Sequence, residues 1–272
     1  MNNRKTAHSP LAERMRPTRL EDFVGQEHLV GEGKLLRQLI DSGRLPSLVL
    51  WGPPGSGKTT LATILAHALA AHFVFFSAVL SGVKEVRLIV EQARAMLEEN
   101  NTTTVLFVDE IHRFNKSQQD AFLPHVESGL LTLIGATTEN PSFQITAPLL
   151  SRCQVLVLAP LVPADIRRVM ERALADPVQG LAGQGLQIDE AALDLFATAA
   201  DGDCRRALNL LETAAALTLE QHRSAGGQAS EPVITLERAR ETLQQRTLRY
   251  DARGEEHYNL ISALHKSLRD SD

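Results

Sequence analysis

Short apolar runs alternate with amphipathic stretches along the first part of the chain. Five of these runs have the length of β-strands: SLVLW, FVFFSA, TTVLFVDE, LLTLIGAT and QVLVLAP. One stretch between them, VKEVRLIVEQARAMLEE, has apolar residues at helical spacing and predicts an amphipathic helix. Because strands that alternate with helices form parallel sheets covered on both faces, we expect an α/β fold with a five-stranded parallel sheet flanked by helices.

The pattern changes at Pro163, after which the predicted strands stop. Four helical stretches follow: PADIRRVMERALAD, DEAALDLFATAADG, CRRALNLLETAAALTLE and TLERARETLQQR. We therefore expect an N-terminal segment (1–46), an α/β core (47–162) and a small all-helical domain (163–248). Residues 249–272 begin an apolar helical stripe and then stop, so we expect the chain to be part of a longer protein.

Composition narrows the class of protein. The formal net charge is −5, so a surface for nucleic acid would have to be a local basic patch. The only two cysteines, Cys153 and Cys204, lie far apart, which suits a reducing cytosol and argues against a zinc site. No signal peptide is apparent, and no apolar run approaches the ~20 residues that span a bilayer. We expect a cytoplasmic protein with no membrane partner.

The segment GPPGSGKT lies between a predicted strand and a predicted helix and fits the phosphate-binding pattern G-x-x-x-x-G-K-[ST]. Its glycines allow backbone N–H groups to surround phosphate oxygens, while Lys58 reaches the β- and γ-phosphates and the Thr59 hydroxyl binds Mg²⁺. An ordinary glycine-rich turn is the alternative. The predicted ATP contacts here are Gly52, Pro53, Pro54, Gly55, Ser56, Gly57, Lys58, Thr59 and Thr60.

A second motif supplies carboxylates. In VLFVDE an apolar strand ends in Asp109 and Glu110. We expect Asp109 to hold the magnesium through water and Glu110 to orient or deprotonate the attacking water. The alternative is that Glu110 is merely solvated at the end of its strand.

Polar groups also end the fourth strand, in LIGATTENP. We expect Thr138 to contact the γ-phosphate or the attacking water. Thr137 and Thr138 are also compatible with the start of a simple turn.

These segments occur in a familiar order. RPTRLEDFVGQEHLVG, the phosphate-binding loop, FVDEIH, GATTENP, LLSRC and GDCRRALNLLE together resemble clamp-loader-type AAA+ ATPases over roughly residues 11–245. The longer strings DEIHRFNKSQQDAFLPHVESG and EEHYNLISALHKS resemble the replication-associated recombination protein A family, related to the eukaryotic Werner-helicase-interacting protein. The resemblance implies a P-loop AAA+ module followed by a small helical lid domain.

The resemblance also implies roles for residues outside the two motifs. Residues 23–26 would lie against the adenine, with Val24 and Gly25 as nucleotide contacts, and Arg205 would reach the nucleotide from the lid. Arg152 has no carboxylate within ten residues on either side, and it resembles the arginine finger that enters a neighbouring subunit's site. A surface cation at Arg205 and a snorkelling side chain at Arg152 are the alternatives.

The function implied is a DNA-stimulated ATPase that hydrolyses ATP to ADP and phosphate at stalled replication forks and single-strand/double-strand junctions, in replication, recombination and repair. Implied partners are single-stranded, gapped or forked DNA, single-stranded-DNA-binding protein and replisome components, at nucleoid-associated forks. The full-length protein would be a homotetramer, with residues 249–272 starting its oligomerisation domain. This chain alone would then be mostly monomeric and hydrolyse ATP slowly. Candidate DNA contacts, each also compatible with a solvated surface charge, are Lys84, Arg87, Arg113 and Lys116.

Other functions fit the sequence less well. A clamp-loader motor subunit usually carries a cysteine-bound zinc module between the two nucleotide motifs, and this chain has no cysteine there. A Holliday-junction branch-migration motor shares GATT but fits HRFNKSQQD less well. A structural subunit that binds nucleotide without cleaving it tends to lose the lysine or the acidic pair, whereas Lys58, Asp109 and Glu110 are all present.

Overall fold

A computed structural model describes residues 9–77, 83–224 and 231–244 of the chain. These residues form two compact units. The core unit contains Met15–Val169 and Ala200–Arg206. The C-terminal unit takes its described residues from 9–14, Met170–Ala199 and 207–244.

The core unit is built on a five-stranded parallel sheet in the order β2-β3-β4-β1-β5. The predicted α/β fold and its five parallel strands are confirmed. The first three residues of the first strand, Leu48, Val49 and Leu50, have no exposed surface, as expected for a sheet covered on both faces. The strands are β1 (Leu48–Trp51), β2 (His72–Ser77), β3 (Thr104–Asp109), β4 (Leu131–Thr137) and β5 (Gln154–Val157).

The described residues of the two units also form α-helices. In chain order they are α1 (Leu11–Arg14), α2 (Glu27–Val30), α3 (Leu35–Asp41), α4 (Lys58–Ala68), α5 (Val83–Asn100), α6 (Lys116–Asp120), α7 (Leu123–Glu127), α8 (Pro141–Gln144), α9 (Ala147–Leu150), α10 (Pro163–Ala175), α11 (Glu190–Ala199) and α12 (Cys204–Ser224). Residues 236–244 are also helical. Short 3₁₀ turns cover Leu20–Asp22, Ile111–Arg113 and Ala182–Gln184.

Two apolar clusters fix the sheet between its helices. One contains Leu61 and Leu65 of α4 with the inward residues of β1 and β4. The other contains Val86 and Val90 of α5 together with Phe122. Because both faces are covered, functional groups can emerge only at the ends of the strands, and the carboxyl ends of all five meet at one edge.

The C-terminal unit is mainly helical, as predicted beyond Pro163, but it contains a small element that the sequence analysis did not predict. Gln187–Ile188 (β6) and Val233–Ile234 (β7) form a parallel two-stranded sheet. Strands of this length carry no measurable alternation of apolar and polar residues, so the sequence pattern could not reveal them. The predicted apolar stripe in 249–272 lies outside the described residues.

The beginning of the chain is tied into the same C-terminal unit. The Leu11 backbone N–H donates to Glu212 at 2.9 Å, and the Arg14 guanidinium lies 3.5 Å from the same carboxylate. Arg14 also donates to the backbone carbonyl of Gln179 at 2.7 Å.

Within the described part of the chain, no helix is long and apolar enough to span a bilayer.

Candidate nucleotide-binding site

The phosphate-binding loop connects the end of β1 to the start of α4. Gly57, the N-cap of α4, has φ 98° and provides no side chain to cap the helix. The first N–H groups of α4 are therefore not satisfied by a capping side chain, which leaves them available to an anion. A Cβ at Gly57 would lie 2.8 Å from the ring of Phe23, so both the backbone angle and the neighbouring ring require glycine.

Lys58 is buried at the start of α4, with 8% of its surface exposed. Its Nζ donates to the carbonyl oxygens of Gly52 at 2.7 Å and Pro53 at 2.8 Å. Burial lowers the pKa of the Lys58 ammonium, while the negative charges of Glu110 and Asp109 act in the opposite direction. Lys58 and the acidic pair therefore share one site, and a bound phosphate could replace the loop carbonyls as partner of the ammonium.

The acidic pair stands at the carboxyl edge of the sheet. Asp109 is the last residue of β3, and Glu110 follows it with φ 51°, in the left-handed region. A residue other than glycine in this region costs about 1 kcal/mol or more, and such residues cluster at functional sites. Oε2 of Glu110 is buried and accepts no hydrogen bond from any residue that the structure describes. It lies 3.2 Å from His112 Nδ1.

The end of β4 lies between the acidic pair and the phosphate-binding loop. Its last residue, Thr137, is fully buried, and its carbonyl accepts a hydrogen bond from Gly52 N at 3.2 Å. The Thr137 hydroxyl holds the following turn, because it donates to Glu139 O at 3.2 Å and accepts from Glu139 N at 3.0 Å. Thr138, half-buried, is the next residue after the strand, and its contact with phosphate or water stays a prediction.

His112 was not singled out from the sequence, yet it contacts both the acidic pair, at Glu110, and the end of β4, at Thr137. Its Nδ1 lies 2.9 Å from Thr137 Oγ1 and 3.2 Å from Glu110 Oε2. Its Nε2 lies 3.8 Å from Glu139 Oε1. A histidine two residues after the candidate base was the only local signal, and its partners on β4 are too distant in sequence for a pattern to show.

The residues predicted to bind magnesium fit that ion. Thr59 is the second residue of α4, and Asp109 ends β3. A hydroxyl and a carboxylate are hard oxygen donors, which suit Mg²⁺ when phosphate oxygens and water complete its octahedron. Among the described residues no group of three or more His, Cys, Asp or Glu could hold a metal.

Residues 23–26, the segment predicted to lie against adenine, are held by hydrogen bonds to the residues that follow β5. Gln26 has φ 62° and is 5% exposed. It exchanges two hydrogen bonds with Ala159, from Nε2 to the carbonyl at 2.7 Å and from the backbone N–H to Oε1 at 2.9 Å. A Cβ at Gly25 would lie 2.5 Å from Leu161. Val24 lies in the same segment, whose first residue, Phe23, meets the phosphate-binding loop at Gly57.

Residues 200–206 approach the phosphate-binding loop from the other side. Asp203 accepts a hydrogen bond from Arg206 N at 3.0 Å and so caps the start of α12. A Cβ at Gly55 would lie 2.0 Å from Asp203 Oδ1. The positive charge of Arg205 contributes to the lowered pKa of Lys58, after burial. This proximity supports Arg205, the first arginine of the pair, as the predicted nucleotide contact.

Arg152 has a carboxylate partner in its own chain, although none lies within ten residues of it along the sequence. Its guanidinium forms an ion pair with Glu127, the last residue of α7, and donates to Pro148 O at 2.7 Å. Glu127 was missed because it lies outside the ten-residue window on either side of Arg152. The neighbouring thiol is inert at neutral pH, since burial raises the pKa of Cys153 to about 11. The role of Arg152 toward another subunit stays a prediction.

The predicted DNA contacts come from segments that follow two adjacent strands. α5, which carries the exposed Arg87, follows β2, and the exposed Arg113 and Lys116 follow β3. Phe76 in β2 and Phe114 after β3 have ring centroids 5.7 Å apart. The side chain of Lys84 lies outside the described part of the structure. The other three cations lie in segments that follow neighbouring strands, and their contact with DNA stays a prediction.

The strand order, the phosphate-binding loop after β1 and the acidic pair after β3 define a P-loop ATPase module of the AAA class. The model of the ATPase family associated with various cellular activities (AAA) matches residues 48–161, and that of the AAA C-terminal domain matches residues 182–269. The chain belongs to the replication-associated recombination protein A family of AAA ATPases.

Two relatives and one solved structure that are similar to this chain illustrate the comparison. Replication-associated recombination protein A of Coxiella burnetii is 51% identical over 263 residues, which cover 97% of this chain and 58% of that protein. ATPase WRNIP1 of Dictyostelium discoideum is 43% identical over 100% of this chain and 32% of that protein. The structure of Thermotoga maritima RuvB, a Holliday junction branch migration motor, has a TM-score of 0.66 at 26% identity, covering 85% of this chain and 72% of that one.

Proposed function

We propose that this chain is the ATPase part of a protein that hydrolyses ATP to ADP and phosphate, is stimulated by DNA, and acts at stalled replication forks and single-strand/double-strand junctions. The observation that carries the proposal is the meeting of Lys58 with Asp109 and Glu110 at one edge of the sheet. The Lys58 ammonium can bind phosphate, and the Glu110 carboxylate, whose buried Oε2 accepts no hydrogen bond from any described residue, can act on water. Binding and hydrolysing a nucleotide require these two kinds of group.

Each residue of the site has a separate task in this proposal. The N–H groups of the loop and the Lys58 ammonium bind the phosphates, while Thr59 and Asp109 hold Mg²⁺, which neutralises charge on the phosphate oxygens. Glu110 orients the attacking water and accepts its proton. Thr138 contacts the γ-phosphate or this water from the turn after β4, and Arg205 contacts the nucleotide from the start of α12.

Arg152 completes the site of a neighbouring subunit in this proposal. A positive charge supplied in trans accelerates nucleotide hydrolysis by about 10³- to 10⁵-fold in well-studied enzymes. The Arg152–Glu127 pair is partly exposed on both sides, so its separation costs little. The full-length protein would be a homotetramer, and hydrolysis would depend on its assembly.

DNA is proposed to bind at the edge formed after β2 and β3. Support comes from the exposed Arg87, Arg113 and Lys116 in a chain that is otherwise acidic. Such a local patch would bind phosphates through counterion release, and its affinity would fall with salt. Single-stranded-DNA-binding protein and replisome components are proposed as further partners on the basis of the family.

A panel of DNA structures tests this function in the full-length protein. We expect single-stranded, gapped or forked DNA to stimulate ATP hydrolysis more than blunt duplex. Lys58→Ala removes the ammonium that binds the phosphates, so it should abolish nucleotide binding and hydrolysis with every DNA. Equal hydrolysis with all DNAs and without DNA would contradict the proposed stimulation.

A branch-migration motor is the second candidate, because the RuvB fold covers 85% of this chain. Identity is only 26% with that motor, against 51% with the recombination protein over a similar span. A four-way junction included in the same panel separates the two functions. Selective stimulation by the four-way junction would favour the branch-migration motor.

A further inference from the structure

We propose that His112 is a positioning residue that holds Glu110 and connects it to the turn after β4. This inference rests on the proposed function, since it assigns His112 a role only if Glu110 acts on water. His112 is 12% exposed and lies between Glu110 and Thr137. The three residues belong to the core unit, at the carboxyl edge of β3 and β4.

The hydrogen bonds of Thr137 bear on which ring nitrogen of His112 carries a proton. The Thr137 hydroxyl has a single proton, and its geometry suits donation to Glu139 O at 3.2 Å. With that donation, the hydroxyl oxygen is the acceptor in its 2.9 Å contact with His112 Nδ1, a contact whose direction depends on the ring tautomer. We therefore assign the ring proton to Nδ1, which lies 2.9 Å from Thr137 Oγ1 and 3.2 Å from Glu110 Oε2.

The same N–H is placed to restrain the candidate base. Oε2 of Glu110 lies 3.2 Å from His112 Nδ1, and within residues 9–77, 83–224 and 231–244 it accepts no regular hydrogen bond. A small movement of the carboxylate would turn this contact into a charge-assisted hydrogen bond. Oε2 would then be fixed by His112, leaving Oε1 to accept the proton of the water.

His112 also connects Glu110 to the turn that contains Thr138, the proposed contact of the γ-phosphate or the attacking water. Thr137 holds the turn that contains Thr138 and Glu139, and Glu139 Oε1 lies 3.8 Å from the other side of the His112 ring. If phosphate binding moves this turn, the movement would therefore be transmitted to Glu110 through the His112 side chain. A residue that only filled space would not need a donor at the Nδ1 position.

Two substitutions separate these roles in the full-length protein. The amide nitrogen of Asn reaches the position of Nδ1, whereas that of Gln reaches the position of Nε2. We expect His112→Asn to retain most of the kcat, and His112→Gln and His112→Ala to lower kcat about 10-fold, part of the roughly 10²- to 10⁴-fold that a positioned base contributes. The KM for ATP should stay nearly unchanged in all three, because the polar partners found for His112 among the described residues are Glu110, Thr137 and Glu139, outside the phosphate-binding loop.

Thermal unfolding, KM and Glu110→Gln serve as controls. Equal kcat in His112→Ala and wild type would overturn the inference. An equal loss in His112→Asn and His112→Ala, or a rise in KM that accounts for the loss, would show a merely structural role and also overturn it. If Glu110→Gln stops hydrolysis while His112→Ala keeps the wild-type kcat, the role of His112 is contradicted but the proposed function is not. If Glu110→Gln hydrolyses normally, the proposed function fails as well.

Discussion

Arg152 and Glu127 form an ion pair whose side chains are 38% and 49% exposed. Exposed pairs contribute about 0–1 kcal/mol to stability, because water screens the charges and both side chains lose freedom. Separating Arg152 from Glu127 would therefore cost little free energy, as the proposed contact of Arg152 with a neighbouring subunit's phosphate requires.

The first prediction concerns this pair. Arg152→Ala should bind ATP with normal affinity in the full-length protein but hydrolyse it about 10³-fold more slowly, because only the charge supplied to the neighbouring site is lost. Glu127→Gln should change the free energy of unfolding by less than about 1 kcal/mol and should not slow hydrolysis. Equilibrium ATP binding, steady-state hydrolysis and urea denaturation measure these effects.

Mixed assemblies show whether Arg152 acts on its own or another subunit. Arg152→Ala mixed with Glu110→Gln should recover part of the activity, since some sites then combine an intact Glu110 with a neighbour's intact Arg152. No recovery in oligomers shown to be mixed would place the action of Arg152 within its own subunit.

The second prediction concerns Gln26, which donates to and accepts from the backbone of Ala159. Gln26→Glu keeps the shape but replaces the donor with a carboxylate oxygen beside a carbonyl. We expect a loss of about 1–3 kcal/mol in the free energy of unfolding and weaker ATP binding. Gln38→Glu is the matched control, because Gln38 is exposed and donates to Gly33 O at 3.0 Å. Equal effects of the two substitutions on stability would contradict the role of Gln26.

The third prediction compares two glycines with similar backbone angles. Gly55 has φ 70°, with Asp203 2.0 Å from a substituted Cβ, whereas Gly33 has φ 68° and nothing within 4 Å. Gly33→Ala should cost about 1–2 kcal/mol for the left-handed backbone alone. Gly55→Ala should cost more and weaken ATP binding, because the start of α12 must move. The double variant Gly55→Ala/Asp203→Ala should recover part of the stability, and no recovery would contradict the close approach.

The fourth prediction concerns the exposed cations that follow β3, which are proposed to bind DNA. Arg113→Glu with Lys116→Glu should reduce stimulation by DNA and leave hydrolysis without DNA unchanged, because both side chains are exposed. Lys34→Glu with Arg44→Glu changes the charge equally at exposed positions before β1, and it controls for net charge. All proteins are compared at one ionic strength, since salt alone changes DNA affinity. An equal loss of DNA stimulation in the Lys34→Glu/Arg44→Glu control would contradict a local DNA-binding patch at Arg113 and Lys116.

Local patterns predicted the central features of the site because consecutive residues determine them. The phosphate-binding loop and the pair Asp109–Glu110 are continuous in sequence, and each sits where an apolar run ends. The five strands were visible for the same reason. Their spatial order was not predicted, because it depends on pairing between segments that are distant along the chain.

The contacts that the sequence did not reveal join residues distant along the chain. His112 meets Thr137, and Arg152 meets Glu127, through loops whose paths no period in the sequence describes. The strand pair β6–β7 was missed because two residues are too few to alternate. Residue identity thus indicated the chemistry, whereas the partners of each group required the fold.

Glu110→Gln tests the central claim most directly. The substitution keeps the size and the position of the side chain but removes its ability to accept the proton of water. In single-turnover experiments with the full-length protein, we expect this variant to bind ATP as wild type does and to hydrolyse it at least about 100-fold more slowly. Hydrolysis at the wild-type rate by Glu110→Gln would contradict the account.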